Sequence, residues 1–115
     1  MTLPHNHGQE IEKHFEHMPK EESFHVVADV FKLLSDSNRV RIFWMLCHCE
    51  ECVINISALM EMSSPAVSRH LRLLKDNGLI TSRRDGKEVY YKAAETEQAE
   101  MLHQAIEKMA RITCI

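Results

Sequence analysis

Apolar side chains recur at helical spacing through most of this chain, and polar or glycine-bearing interruptions divide them into separate runs. Phe24, Val27, Phe31 and Leu34 form the first clear stripe, ended by Ser35-Asp-Ser-Asn38. Val40, Phe43, Trp44 and Cys47 form the second, which places Cys47 on a buried face. A short strand is expected over residues 53–55 and a brief helix over 56–62. Ser64 then serves as N-cap and Pro65 as the first residue of a new helix, because proline lacks only an N–H that has no intrahelical partner there. In that helix Val67, Leu71 and Leu74 make one apolar stripe, and Asn77-Gly78 closes it, glycine accepting the left-handed conformation without a Cβ clash. Asp85-Gly86 lies between two β-capable runs, 79–84 and 87–92, the strongest short hairpin signal a sequence offers. A final helix is expected over 93–115, with Ala99, Leu102, Ile106 and Met109 on one side. A chain this small has little need of a further apolar face, so that side is expected to pack against the same helix of a second copy.

The polar positions show what the fold is for. A turn of about 100° per residue collects Ser68, Arg69, Arg72 and Lys75 opposite the stripe of the helix after Pro65. Helix, tight turn, basic helix and basic hairpin, in that order, predict a mainly α fold with a β-hairpin wing. This is a winged helix-turn-helix, a homodimer through its N- and C-terminal helices. Such a motif lays its second helix in the major groove of double-stranded DNA while the hairpin touches the flanking backbone. Ser64, Ser68, Arg69, His70 and Arg72 are the expected groove contacts, with His70 at the border of the apolar stripe, and Lys75, Arg83, Arg84 and Lys87 the expected phosphate contacts. A basic stripe alone is commonly just a solvated face, and a lone Asp-Gly hairpin just a hairpin; their conjunction is what points to DNA.

Net charge is −3 over 115 residues, which at first sight speaks against a nucleic-acid partner. Its distribution reverses that reading: residues 69–92 carry seven Lys or Arg against three acids, and the rest of the chain seven against fourteen. Screening confines each patch to roughly 8 Å at physiological salt, so a local positive face can meet phosphate while the acidic remainder faces away. The length implies one globular domain, residues 21–115, preceded by a His-rich, partly helical arm at 1–20, with helix expected from 9 to 18. No apolar run approaches bilayer length and the start lacks the pattern of a signal peptide, which predicts a cytoplasmic protein without a membrane partner. No catalytic triad, phosphate loop or paired carboxylates stand out, so an enzyme is not expected.

Cys47, His48, Cys49 and Cys52 lie within six residues of one another, between a helix and a strand. Thiolates at such spacing can converge on one soft cation or pair on oxidation. Glu50 and Glu51 disfavour a reactive thiolate, which tilts the reading toward metal. The remaining cysteine, Cys114, sits near the end, and His5, His7, His14 and His17 offer imidazoles in the arm. A metal-buffering or thiol-redox protein without DNA coupling is the alternative of another class.

Leu33-Leu-Ser-Asp-Ser-Asn-Arg-Val-Arg-Ile42, Ser64-Pro-Ala-Val-Ser-Arg-His-Leu71, Leu74-Lys-Asp-Asn-Gly-Leu-Ile80 and Arg84-Asp-Gly-Lys-Glu-Val-Tyr-Tyr91, taken together, resemble the ArsR/SmtB family of winged-helix repressors. The resemblance implies a homodimer that binds an operator when free and releases it when an inducer, often a metal ion such as zinc, cadmium, arsenic(III) or copper(I), is bound. The family's sensing sites carry over only in part. Cys52 matches the first place of the Cys-x-Cys pair of relatives that sense thiophilic metals, but Ile54 stands at the second. Glu95 and Glu97 stand at the first pair of the zinc site on the last helix, whereas Lys108 and Arg111, at the second, cannot ligate zinc. Cys47 resembles the first cysteine of relatives that sense oxidants or reactive sulfur, and Cys114 stands near their second, which keeps a thiol-switch alternative open.

Overall fold

The computed structural model describes residues 3–113 and divides the chain into two compact units, 1–31 and 32–115. The first holds a short helix, α1 (Ile11–Glu16), and most of α2 (Glu21–Leu33). Phe24, Val27 and Phe31 of α2 are exposed despite their helical spacing. Among the described residues no helix is long and apolar enough to cross a membrane.

The second unit is built on α3 (Ser37–His48), α4 (Val53–Met60), α5 (Ser64–Asp76) and α6 (Glu97–Thr113), with strands β1 (Glu51–Cys52), β2 (Ile80–Asp85) and β3 (Glu88–Ala93). Asp36 caps α3, its carboxylate accepting from the Arg39 amide at 3.1 Å. Ile42, Phe43 and Leu46 from α3, Ile56 from α4 and Val67, Leu71 and Leu74 from α5 are fully or almost fully buried, so the predicted α5 stripe is the one that faces the core. Trp44 remains exposed, and on α6 Ala99 and Leu102 are buried while Met109 is not.

Three local expectations shift by a residue or more. The strand expected at 53–55 is instead the two-residue β1, and Val53 already opens α4. Ser63, not Ser64, caps α5: its hydroxyl accepts from the Ala66 amide at 3.3 Å. Pro65 thus falls one place further into the first turn, where its missing N–H is equally harmless. The hairpin turns at Gly86 and Lys87, with Asp85 paired to Glu88; Gly86 has φ +63° at the first central position, where a side chain would be strained. The close of α5 is as expected. Gly78 has φ +76°, its amide donates to Lys75 O, and the Leu79 amide donates to Leu74 O, which together satisfy the last carbonyls. β3 is the central strand, between β1 and β2.

Candidate functional site

α4, the turn at residues 61–63 and α5 form the helix-turn-helix, and β2 and β3 form the wing. Glu61 ends α4 in the left-handed conformation, φ 53°. Ser57 and Ser64 then meet across the turn, hydroxyl to hydroxyl at 3.2 Å. With Val67, Leu71 and Leu74 buried, helical geometry turns Arg69, Arg72 and Lys75 outward; all three are exposed, as is Ser64, and Ser68 is half-buried. Arg84 and Lys87 are exposed on the wing.

Two of the expected DNA contacts have other occupations. His70 is 3 % exposed. Its Nδ1 lies 3.2 Å from Arg39 Nη1, and because a guanidinium only donates, Nδ1 accepts and the ring proton resides on Nε2. Burial, with Arg39 and Arg69 nearby, holds its pKa below the ordinary histidine value against the pull of Asp36. His70 therefore packs under α5 and is not a groove contact: three residues after Val67 and one before Leu71, it falls inside the buried arc. Arg83 is held by Glu50, with Nε 3.0 Å from both carboxylate oxygens and Nη2 2.6 Å from one. The guanidinium also lies 4.9 Å from the Tyr90 ring centroid. This pairing holds the Glu50 carboxyl below the usual carboxylate range.

The cysteines do not gather with His48 as the sequence suggested. Cys47 is half-buried in the last turn of α3; Cys49 is exposed, in extended conformation, its thiol donating to Met45 O at 3.3 Å; Cys52 is buried in β1. Among the described residues, no three ligand atoms drawn from Cys47, His48, Cys49 and Cys52 lie within 4.8 Å of one another. Burial, then the charges of Glu100 and Glu107, push the Cys47 pKa up to about 11, and burial followed by Glu51 raises that of Cys49. Cys47 and Cys49 do line one open cavity of about 580 Å³, together with His48, Glu100 and His103. Cys114, required by the thiol-switch alternative, lies outside the described residues.

His48 has other company. Among the described residues, the one set of three His, Cys, Asp or Glu ligand atoms within 4.8 Å of one another belongs to His48, His103 and Glu107. His103 Nε2 is 3.1 Å from His48 Nε2 and 2.7 Å from Glu107 Oε1, and His48 Nε2 is 3.3 Å from the same oxygen. The His48 ring rests on Trp44 at 4.2 Å and meets His103 edge-on at 4.8 Å. Hydrogen bonding from His103 is the first cause holding the Glu107 carboxyl below its usual range. The i, i+4 pair of His103 and Glu107 was visible in the sequence; its meeting with His48, 55 residues upstream of His103, was not.

The sequence model of the family described as bacterial regulatory protein, arsR family, matches residues 36–82. Over 80 residues the chain is 40 % identical to the cadmium resistance transcriptional regulatory protein CadC homolog of Staphylococcus aureus, covering 69 % of this chain and 66 % of that one. It is 38 % identical over 71 residues to the arsenical resistance operon repressor of Escherichia coli K12, covering 61 % of each. The solution structure of the homodimeric winged helix-turn-helix DNA-binding domain Mb0332 from Mycobacterium bovis matches with a TM-score of 0.72 at 27 % identity, over 85 % of this chain and 92 % of that one. The chain spans between about half and two thirds of the length of the curated relatives it matches. These relatives are regulators, not enzymes.

Proposed function

This chain belongs to the ArsR family of bacterial regulatory proteins, and from that premise we propose that it is a homodimeric transcriptional repressor that leaves its operator DNA when a metal ion binds. The observation that carries the DNA-binding part is the exposed cationic face of α5, Arg69, Arg72 and Lys75, backed by a fully buried stripe and flanked by the wing. Ser64, Ser68, Arg69 and Arg72 meet the groove; Lys75, Arg84 and Lys87 meet phosphate. Exposed Met101, Met109 and Ile112 on α6 and Phe24 and Phe31 on α2 supply apolar surface for a second copy. A two-fold dimer repeats α5 along the duplex, as a palindromic operator requires.

The metal reading draws on relatives named for cadmium and arsenical resistance. Cys47 and Cys49 line one cavity with His48 without bringing three ligand atoms together, so holding a soft ion through them needs a rearrangement, as it does at buried Cys52. A raised thiol pKa keeps Cys47 protonated and slows its reaction with an oxidant or persulfide donor, which act on the thiolate.

The test is a binding titration on duplexes selected from a random library, followed by release with zinc, cadmium, arsenite, copper(I) and a persulfide donor. Arg72→Ala should weaken specific binding by about 1 to 3 kcal/mol if it reads a guanine edge. A protein that remains monomeric, or ignores every duplex at modest salt, would refute the proposal, and release by persulfide alone would replace the metal.

A further inference from the structure

We propose that His48, His103 and Glu107 form a site for one divalent transition-metal cation of the borderline class, zinc, cobalt or nickel, joining the end of α3 to α6. The proposal deepens the metal-responsive reading above and rests on it for regulation, though not for binding. It also departs from the sulfur-based ligand set suggested by the sequence.

The three ligand atoms form a triangle with edges of 2.7, 3.1 and 3.3 Å. In a tetrahedral zinc site with bonds of 2.0–2.1 Å, ligand atoms stand about 3.3 Å apart, so the shortest edge must open by roughly half an ångström and the middle one by less. The hydrogen-bonding alternative is poorer. One imidazole proton on His103 Nε2 can serve either His48 or Glu107, and a second on His48 Nε2 would point two N–H groups at each other over 3.1 Å. A cation bound to all three atoms satisfies them at once.

The surroundings suit an exchangeable ion. The side chains are 45 %, 19 % and 37 % exposed for His48, His103 and Glu107, open enough for entry. His103 and Glu107 share one helix face, so α6 presents both without backbone change, and Trp44 supports the His48 ring. Two imidazoles and a carboxylate select a borderline cation over arsenic(III), which calls for thiolates. Three protein ligands leave a fourth position for water, and His48 and His103 also line the neighbouring cavity.

The position also gives the ion leverage over DNA. α3 carries His48 at its last residue, and Arg39 in its first turn holds His70 of α5. A cation that fastens α3 to α6 therefore acts on the helix that braces the recognition helix. If it favours the arrangement less suited to DNA, DNA must weaken the ion by the same factor.

Reduced, chelator-treated protein titrated with cobalt(II), then with zinc in competition, tests this without DNA. The expected result is an equivalent of cobalt bound with visible bands but no sulfur-to-cobalt charge transfer. It should be kept in Cys47→Ser/Cys49→Ser and weakened by about a hundredfold or more in both His103→Gln and Glu107→Gln. Thermal melts check that these variants fold, and His48→Gln stands in for any that does not. Unchanged cobalt affinity in folded His103→Gln, or a sulfur charge-transfer band lost with the cysteines, overturns the proposal. DNA release is read second: zinc should release wild type and spare His103→Gln. Equal release of both overturns the site's part in release while leaving the repressor reading intact; cobalt bound at this site by a protein that ignores DNA keeps the site and overturns the repressor reading.

Discussion

Replacing Arg84 by alanine should reduce the salt dependence of DNA binding, whereas replacing its neighbour Arg83 should leave it nearly unchanged. The two are adjacent on β2, both exposed and both cationic, but Arg83 is clamped by Glu50 through contacts of 3.0 and 2.6 Å while Arg84 has no such partner among the contacts seen. Each phosphate neutralised contributes about 0.9 to the slope of log affinity against log salt, so two wings in a dimer contribute about 1.8, or roughly 12-fold in affinity between about 50 and 200 mM salt. Arg84→Ala should remove that increment. Glu50→Gln, which frees Arg83, should add up to as much again. Fluorescence anisotropy of a labelled duplex at several salt concentrations measures all three slopes. If Arg83→Ala lowers the slope as much as Arg84→Ala does, the Glu50 pair opens on DNA and Arg83 serves phosphate as Arg84 does.

Ser63→Ala should cost about 1 kcal/mol in urea denaturation and Ser64→Ala only a few tenths, since the cap is Ser63; the reverse order would move the helix start by a residue. Gly78→Ala should cost about 1 to 2 kcal/mol because φ is +76° there, and a neutral result would mean that α5 closes differently. Phe43→Ala, at a fully buried site, should cost about 3 to 5 kcal/mol and leave the fold marginal or lost, checked by circular dichroism. His70 titrates below its unfolded value, so the unfolded chain takes up the proton first on acidification. Its contribution to stability is therefore complete above about pH 6.5 and is lost as pH falls toward the folded pKa. His70→Gln should flatten the stability profile across that window, and an unaltered slope would refute the buried neutral ring.

Amphipathic spacing made the framework legible, because Val67, Leu71 and Leu74 have one way to share a core and Gly78 one reason to follow them. Single-residue choices were not legible. Ser63 and Ser64 are chemically equivalent caps, and only the packing of the turn decides between them. Asp85-Gly86 was expected to occupy both central turn positions, whereas the strand register places Gly86 and Lys87 there. Closeness in sequence counts for little where a helix ends: Cys49 is already extended and Cys52 lies in a strand, so six residues of spacing do not fix where the thiols meet. His48, His103 and Glu107 come together only once α6 packs on α3, which no local pattern announces. On α2 the spacing of Phe24, Val27 and Phe31 is that of the helix they form, yet periodicity cannot tell a face covered within the chain from one left exposed.

The brevity of β1 makes the hairpin a cantilever. Glu51 and Cys52 clamp β3 at Tyr91 and Tyr90, leaving the tip at Asp85 and Glu88 projecting beyond the clamp. At about 3.4 Å per residue the two residues from Tyr90 to Glu88 make an overhang of roughly 7 Å, so a tilt of about 10° at the root swings the tip by about 1.2 Å, enough to weaken a hydrogen bond to a phosphate. Because the root begins three residues after His48, small adjustments at the foot of α3 are magnified at the tip of the wing, where the proposed contact with a duplex would be made.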